Sequence, residues 1–148
     1  MGAWGTLLAT VVGAAIALFG QHLVKRAEAR ARLSELLVEQ CALVAASASD
    51  FQNRVWEERV LSMDNRVSSW DLSAHRLASA RLQILSRDRS LLSALEELNK
   101  AGQQLGSYWR RGSVDDDEYT RRWNRHRTAK SQFLAVSGEV VRRRLTSV

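Results

Sequence analysis

From Ala3 to Gly20 the chain reads AWGTLLATVVGAAIALFG, a run without charge in which Thr6 and Thr10 carry the only polar side chains, and Leu23 and Val24 extend it past Gln21 and His22. A helix rising about 1.5 Å per residue from Trp4 to Val24 matches the roughly 30 Å hydrocarbon layer of a bilayer, so the pattern predicts a transmembrane helix. Trp4 stands where an interfacial ring anchors such a helix, and the threonine hydroxyls can bond back to helical carbonyls. A cleaved secretory signal would carry positive charge ahead of the apolar stretch. Here no Lys or Arg precedes the run, whereas Lys25, Arg26, Arg30 and Arg32 follow it. The excess of cations on that side places the amino terminus outside and the remaining chain in the cytoplasm of a cell membrane.

Gly5, Ala9, Gly13 and Ala17 recur every fourth residue and form one ridge of small side chains. Such a ridge lets two membrane helices approach closely, which makes these residues the candidate packing face of the span. Gly2 with Thr6 also fits a myristoylation pattern, but a following membrane span makes a lipid anchor redundant.

Beyond the basic flank, Leu33, Leu37, Cys41, Val44, Ala48, Phe51 and Val55 recur at alternating steps of four and three, one apolar stripe along one long helix. No Pro or Gly interrupts residues 21–62, so the span and this helix can be continuous. The stripe is lost at Met63, and Asp64, Asn65, Ser68 and Ser69 read as a turn or helix start. A second helix is predicted from about Ser69 to Ser86, with Trp70, Ala74, Leu77, Ala78, Leu82 and Leu85 inward and Ile84 beside them. A third follows Arg87-Asp88-Arg89, where Asp88 or Ser90 can cap it, with Leu91, Leu95, Leu98, Gly102, Leu105 and Trp109 on one face. Gly112-Ser113 ends it. Asp115-Asp116-Asp117-Glu118 then favours the amino end of a fourth helix through its dipole, and Arg142-Arg143-Arg144 favours its carboxyl end. Tyr119, Trp123, His126, Phe133, Val136 and Val140 give this helix its core face.

The expected fold is therefore all-α: a single transmembrane anchor over residues 1–24 continuing into a cytoplasmic antiparallel helical bundle of about four helices over residues 25–148. The absence of proline in 148 residues agrees with long helices and argues against a turn-rich β architecture. A single cysteine excludes an intramolecular disulfide framework and a cysteine-based zinc site.

No catalytic signature emerges: there is no phosphate-cradling glycine loop, no HExxH, no GxSxG and no calcium loop. No metal site, catalytic residue or cofactor is expected. The acidic run from Asp115 reads as a helix cap, His126 as a boundary histidine, and Cys41 as a small buried hydrophobe. The formal charge of +6 directs attention to partners instead. Residues 64–112 and 113–148 each carry eight basic against five acidic side chains. Tyr108-Trp109-Arg110-Arg111 and Arg121-Arg122-Trp123-Asn124-Arg125-His126-Arg127 combine rings with guanidinium groups, and antiparallel third and fourth helices would bring the two runs to one end. Arg110, Arg111, Arg121, Arg122, Arg125 and Arg127, with Lys25 and Arg26 beside the membrane, thus form the candidate patch for anionic lipid or, second, nucleic acid.

Nineteen arginines against three lysines suggest a bacterial, high-GC origin. Thr146-Ser147-Val148 matches a common carboxylate-terminal recognition pattern. The leading expectation is a non-catalytic, membrane-anchored protein-interaction or scaffold module whose partners are the lipid bilayer and a second protein or further copies of itself. An oligomerising membrane-active effector and a membrane-tethered binder of anionic lipid or nucleic acid are the alternatives.

Overall fold

The computed structural model describes residues 2–146, with side chains described from Ala14 onward. The chain divides into two compact units, one ending at Glu35 and one beginning at Leu36. In the first unit the backbone is helical from Gly2, and every described side chain is exposed except half-buried Ser34. Among the described residues no helix is long and apolar enough to cross a membrane. The expected span begins at Trp4, so the side chains of its residues 4–13, including Gly5, Ala9 and Gly13 of the small-residue ridge, lie outside those described. Ala17, the fourth ridge residue, is exposed, as are Lys25 and Arg26.

The second unit is a helical bundle. Four helices and no strand occur among the described residues: α1 (Gly2–Val60), α2 (Leu72–Leu85), α3 (Arg89–Arg110) and α4 (Asp116–Thr146). Each of the last three starts at an aspartate whose carboxylate satisfies an otherwise orphaned backbone donor. Asp71 accepts from Ala74 N at 2.8 Å, Asp88 from Leu91 N at 3.0 Å, and Asp115 from Glu118 N at 2.9 Å. The second helix therefore begins at Leu72, three residues beyond the expected Ser69. The turn preceding it is held to α1 by Glu58, which accepts from Val67 N at 2.8 Å, and by Arg54, which donates to the Arg66 carbonyl and the Ser69 hydroxyl. Ser62 and Asn65 sit in that turn at positive φ, and Gly112 closes α3 at φ +76°.

Cross-contacts fix an up-down-up-down order. Arg59 meets Asp116 at 2.6 Å and Lys130 donates to Gln52 at 2.9 Å, so α4 descends along α1. Arg125 donates to Gln104 at 2.9 Å, and Arg143 lies 3.5 Å from Asp88, so α4 is also antiparallel to α3. His75 opposite Asn99, across a joint at residues 86–88, sets α2 antiparallel to α3. Leu36 thus enters the bundle at the end that also holds the α2–α3 joint and the carboxyl end of α4. We call this the entry end and the opposite one the far end.

Two apolar clusters fill the interior. One is aliphatic, built around Leu37, Val44, Leu82, Leu91, Leu95, Leu98, Phe133 and Val140. The other, toward the far end, gathers Phe51, Val55, Val67, Leu105 and Tyr119, with half-buried Trp70, Trp109 and Trp123 against them. Each fully buried leucine or phenylalanine contributes roughly 1.5–3 kcal/mol.

The stripe on α1 is as expected from Leu37 to Val55, but Leu33 is 48% exposed because the bundle starts three residues later. On α2 the expected face is rotated: Leu77 and Ile84 are outside, at 52% and 82% exposure, while His75, Ala78, Ser79 and Leu82 are buried. The buried imidazole is tolerated there because its Nε2 lies 2.8 Å from Asn99 Oδ1. On α3 the close approach falls at Gly106, where an added Cβ would stand 3.2 Å from Phe51 Cζ; at Gly102 the nearest atoms, on His126, would be at 3.6 Å.

Candidate functional site

The far end holds the arginine and aromatic runs singled out in the sequence. Arg110 and Arg111 at the close of α3 and Arg121 and Arg122 in the second turn of α4 do come to this end. Their surroundings are acidic as well as basic. Arg121 and Arg122 both pair with Glu118, whose carboxyl is held below the usual carboxylate range by those two guanidinium groups. Arg122 also donates to the Gln104 carbonyl and lies 4.9 Å from the Tyr108 ring centroid. Arg125 reaches Gln104 and Glu97, while Arg127 is exposed one helical turn beyond Trp123. Residues 56–71 and 106–122 together carry eight carboxylates against six guanidinium groups. The i to i+3 and i to i+4 spacing of Glu118 from Arg121 and Arg122 was the sequence signal for this neutralisation.

The rings in these runs serve the fold. Trp109 Nε1 donates to Glu58 at 2.5 Å, so one carboxylate ties α1, the following turn and α3 together. Tyr119 lies between Trp109 and Trp123 at centroid distances of 5.8 and 5.7 Å, and the Arg59 guanidinium sits 3.7 Å over its ring. Burial raises the Tyr119 phenol above its ordinary range.

Between the ends runs a polar seam. His126 is 1% exposed and packs edge-on against Phe51 at 5.6 Å; burial, assisted by the charge of Lys130, pushes it down to about 4, so it is neutral at physiological pH. Its Nδ1 and the Nδ1 of His75 are buried without a hydrogen-bond partner. Burial also lowers Lys130. Among the described residues no three His, Cys, Asp or Glu side chains converge as metal ligands would.

The entry end was not singled out in the sequence. An open concavity there is lined by Arg87, Asp88, Val140, Arg143 and Arg144. Asp88 serves as the α3 cap, and its bonds from Ser90 and Leu91 N keep it ionised below the usual range. Residues 36–42, 79–92 and 139–146, which converge at this end, carry six arginines against three carboxylates. Cys41 is buried in the aliphatic cluster, and that burial pushes its thiol up. Carboxylates are thus in excess at the far end, whereas the entry end and the middle of the bundle, which holds Arg125, Arg127 and Lys130, each carry six basic against three acidic side chains. No protein-family model, curated protein or solved structure matches the chain.

Proposed function

We propose that this chain is a single-pass membrane protein whose cytoplasm-facing helical bundle acts as a non-catalytic interaction module. The observation that carries the reading is the charge-free run of residues 3–20, bordered on its carboxyl side alone by Lys25, Arg26, Arg30 and Arg32. A supporting observation comes from the bundle: many of its charged groups and both its imidazoles enter caps, ion pairs and core contacts, whereas large apolar side chains such as Trp56, Leu77 and Leu134 stay about half exposed. That distribution suits binding of a second protein or of further copies through the surface.

The test is alkaline carbonate extraction of membranes from cells making the full chain, together with reporters fused after Val148. Retention in the membrane pellet, with activity of a cytoplasm-dependent reporter, is expected. Ile16→Arg places a guanidinium near the centre of the run, at a cost of about 2.5–3.5 kcal/mol, and should release much of the protein. Release of the unaltered chain by carbonate would defeat the anchor, and activity of a periplasm-dependent reporter would reverse its orientation.

A further inference from the structure

Four strands of chemistry meet at the entry end. Arg87 and Arg89 flank the α3 cap, Arg142, Arg143 and Arg144 close α4, and Arg143 shares Asp88 with the cap across 3.5 Å. Residues 36–42, 79–92 and 139–146 place six arginines and three side-chain carboxylates here, and Arg143 pairs with Glu139 as well as Asp88. Exposed apolar side chains stand among them: Ile84 in the last turn of α2 at 82%, Leu145 in the last turn of α4 at 60%, and Leu36 where the chain enters. Lastly, the eleven residues 25–35 between the apolar run and Leu36 span at most about 40 Å even if fully extended, which keeps this end within reach of any bilayer the run occupies.

We propose that the entry end of the bundle is a docking face for the anionic surface of the lipid bilayer, with Arg87, Arg89 and Arg142–Arg144 on headgroup phosphates and Ile84 and Leu145 in the interfacial layer. This inference rests on the membrane-anchored reading. A mixture of arginines and exposed aliphatic side chains suits an interfacial surface, where apolar groups gain from leaving water while cations stay with the headgroups. Duplex nucleic acid would reward the arginines and leave Ile84 and Leu145 in water. At the far end, over residues 56–71 and 106–122, carboxylates outnumber arginines.

The experiment uses the full chain in lipid nanodiscs made of phosphatidylcholine alone or with 30% phosphatidylglycerol. A donor dye is placed at Gln83→Cys near the entry end or at Ser113→Cys at the far end, both exposed positions, while buried Cys41 stays unmodified. Energy transfer to a headgroup acceptor reports docking. The expected result is stronger transfer from position 83 on the anionic discs, abolished by 0.5 M NaCl and weak from position 113. Arg142→Gln with Arg143→Gln and Arg144→Gln should lower the docked-to-free ratio about a hundredfold, at about fivefold per arginine. Arg87→Gln with Arg89→Gln, on the α2–α3 joint and not on α4 itself, should lower it about twenty-five-fold and keeps the proposal testable if the triple variant unfolds. Arg121→Gln with Arg122→Gln should change it less than twofold.

Equal transfer on the two disc compositions, in protein that resists carbonate, overturns docking and leaves the anchor standing. Protein that carbonate extracts, yet whose position-83 dye still meets anionic vesicles in a salt-dependent way, removes the anchor and supports the docking face. Displacement from anionic discs by a DNA duplex at matched phosphate concentration reassigns the face to nucleic acid and overturns the proposal.

Discussion

The two ends of this bundle are built from different materials. At the far end, rings, carboxylates and guanidinium groups answer one another within the chain: Glu58 serves Val67 and Trp109, Glu118 serves Arg121 and Arg122, and Arg59 covers Tyr119. At the entry end an aliphatic core is closed by a small joint, and six arginines stand against three carboxylates. A surface whose charges are satisfied internally gains little by binding an ion of either sign, because each new contact must displace an old one. A surface with surplus charge gains directly. The contrast teaches that a run of arginines in a sequence does not locate a binding face; the balance with nearby acids does.

Where the two regions meet, His126 supplies the largest test. Its pKa is depressed from 6.5 to about 4 in the folded state, so between those values the unfolded chain binds a proton that the fold refuses. Stability is therefore full above pH 6.5 and falls as pH drops toward 4, by about 3 kcal/mol from this group. Urea titrations across that range should show the slope, and His126→Leu should flatten it. An unchanged slope in the variant would mean the imidazole is not the group being titrated.

Next in size is the far-end pin. Glu58→Ala leaves Val67 N and Trp109 Nε1 without their acceptor and should cost about 2 kcal/mol in chemical denaturation, with a shift in tryptophan emission. Glu39→Ala, at an exposed site on the entry half of α1, should stay within about 0.5 kcal/mol. Equal losses would erase the contrast between the two ends.

The smallest effects should differ in sign. Gly138→Ala brings a methyl 3.3 Å from the flexible end of Arg142, which can move, and should stabilise α4 by about 0.5–1 kcal/mol. Gly106→Ala meets the Phe51 ring at 3.2 Å, and that packed ring cannot yield as easily, so thermal melts should show no gain or a loss. A clear gain at both positions would show the aromatic half to be as compliant as the aliphatic one.

Much of the architecture was legible because it depends on spacing. Leu37, Cys41, Val44, Ala48, Phe51 and Val55 repeat at helical steps, and burial follows that repeat. The capping role of Asp88 and the acidic start of α4 were legible for the same local reason. On α2 the pattern failed, since apolar residues occupy two faces of a short helix and only the partner at Asn99 reveals why His75 can face inward while Leu77 faces out. The entry-end surface was illegible for another reason. Arg87, Arg89 and Arg142–Arg144 come from distant stretches, each already explained locally as a joint or a helix terminus, and only the antiparallel order adds them into one surface.

The burial of Cys41 has a kinetic meaning. Its thiol lies in the aliphatic core, shielded and harder to ionise than in free solution, so a thiol reagent or a neighbouring copy meets almost no thiolate while the helices stay together. Alkylation must then wait for the bundle to part. The chain carries its own clock for that event, since the rate at which its one thiol is consumed by excess reagent counts the openings of the core directly under the arginine-rich surface.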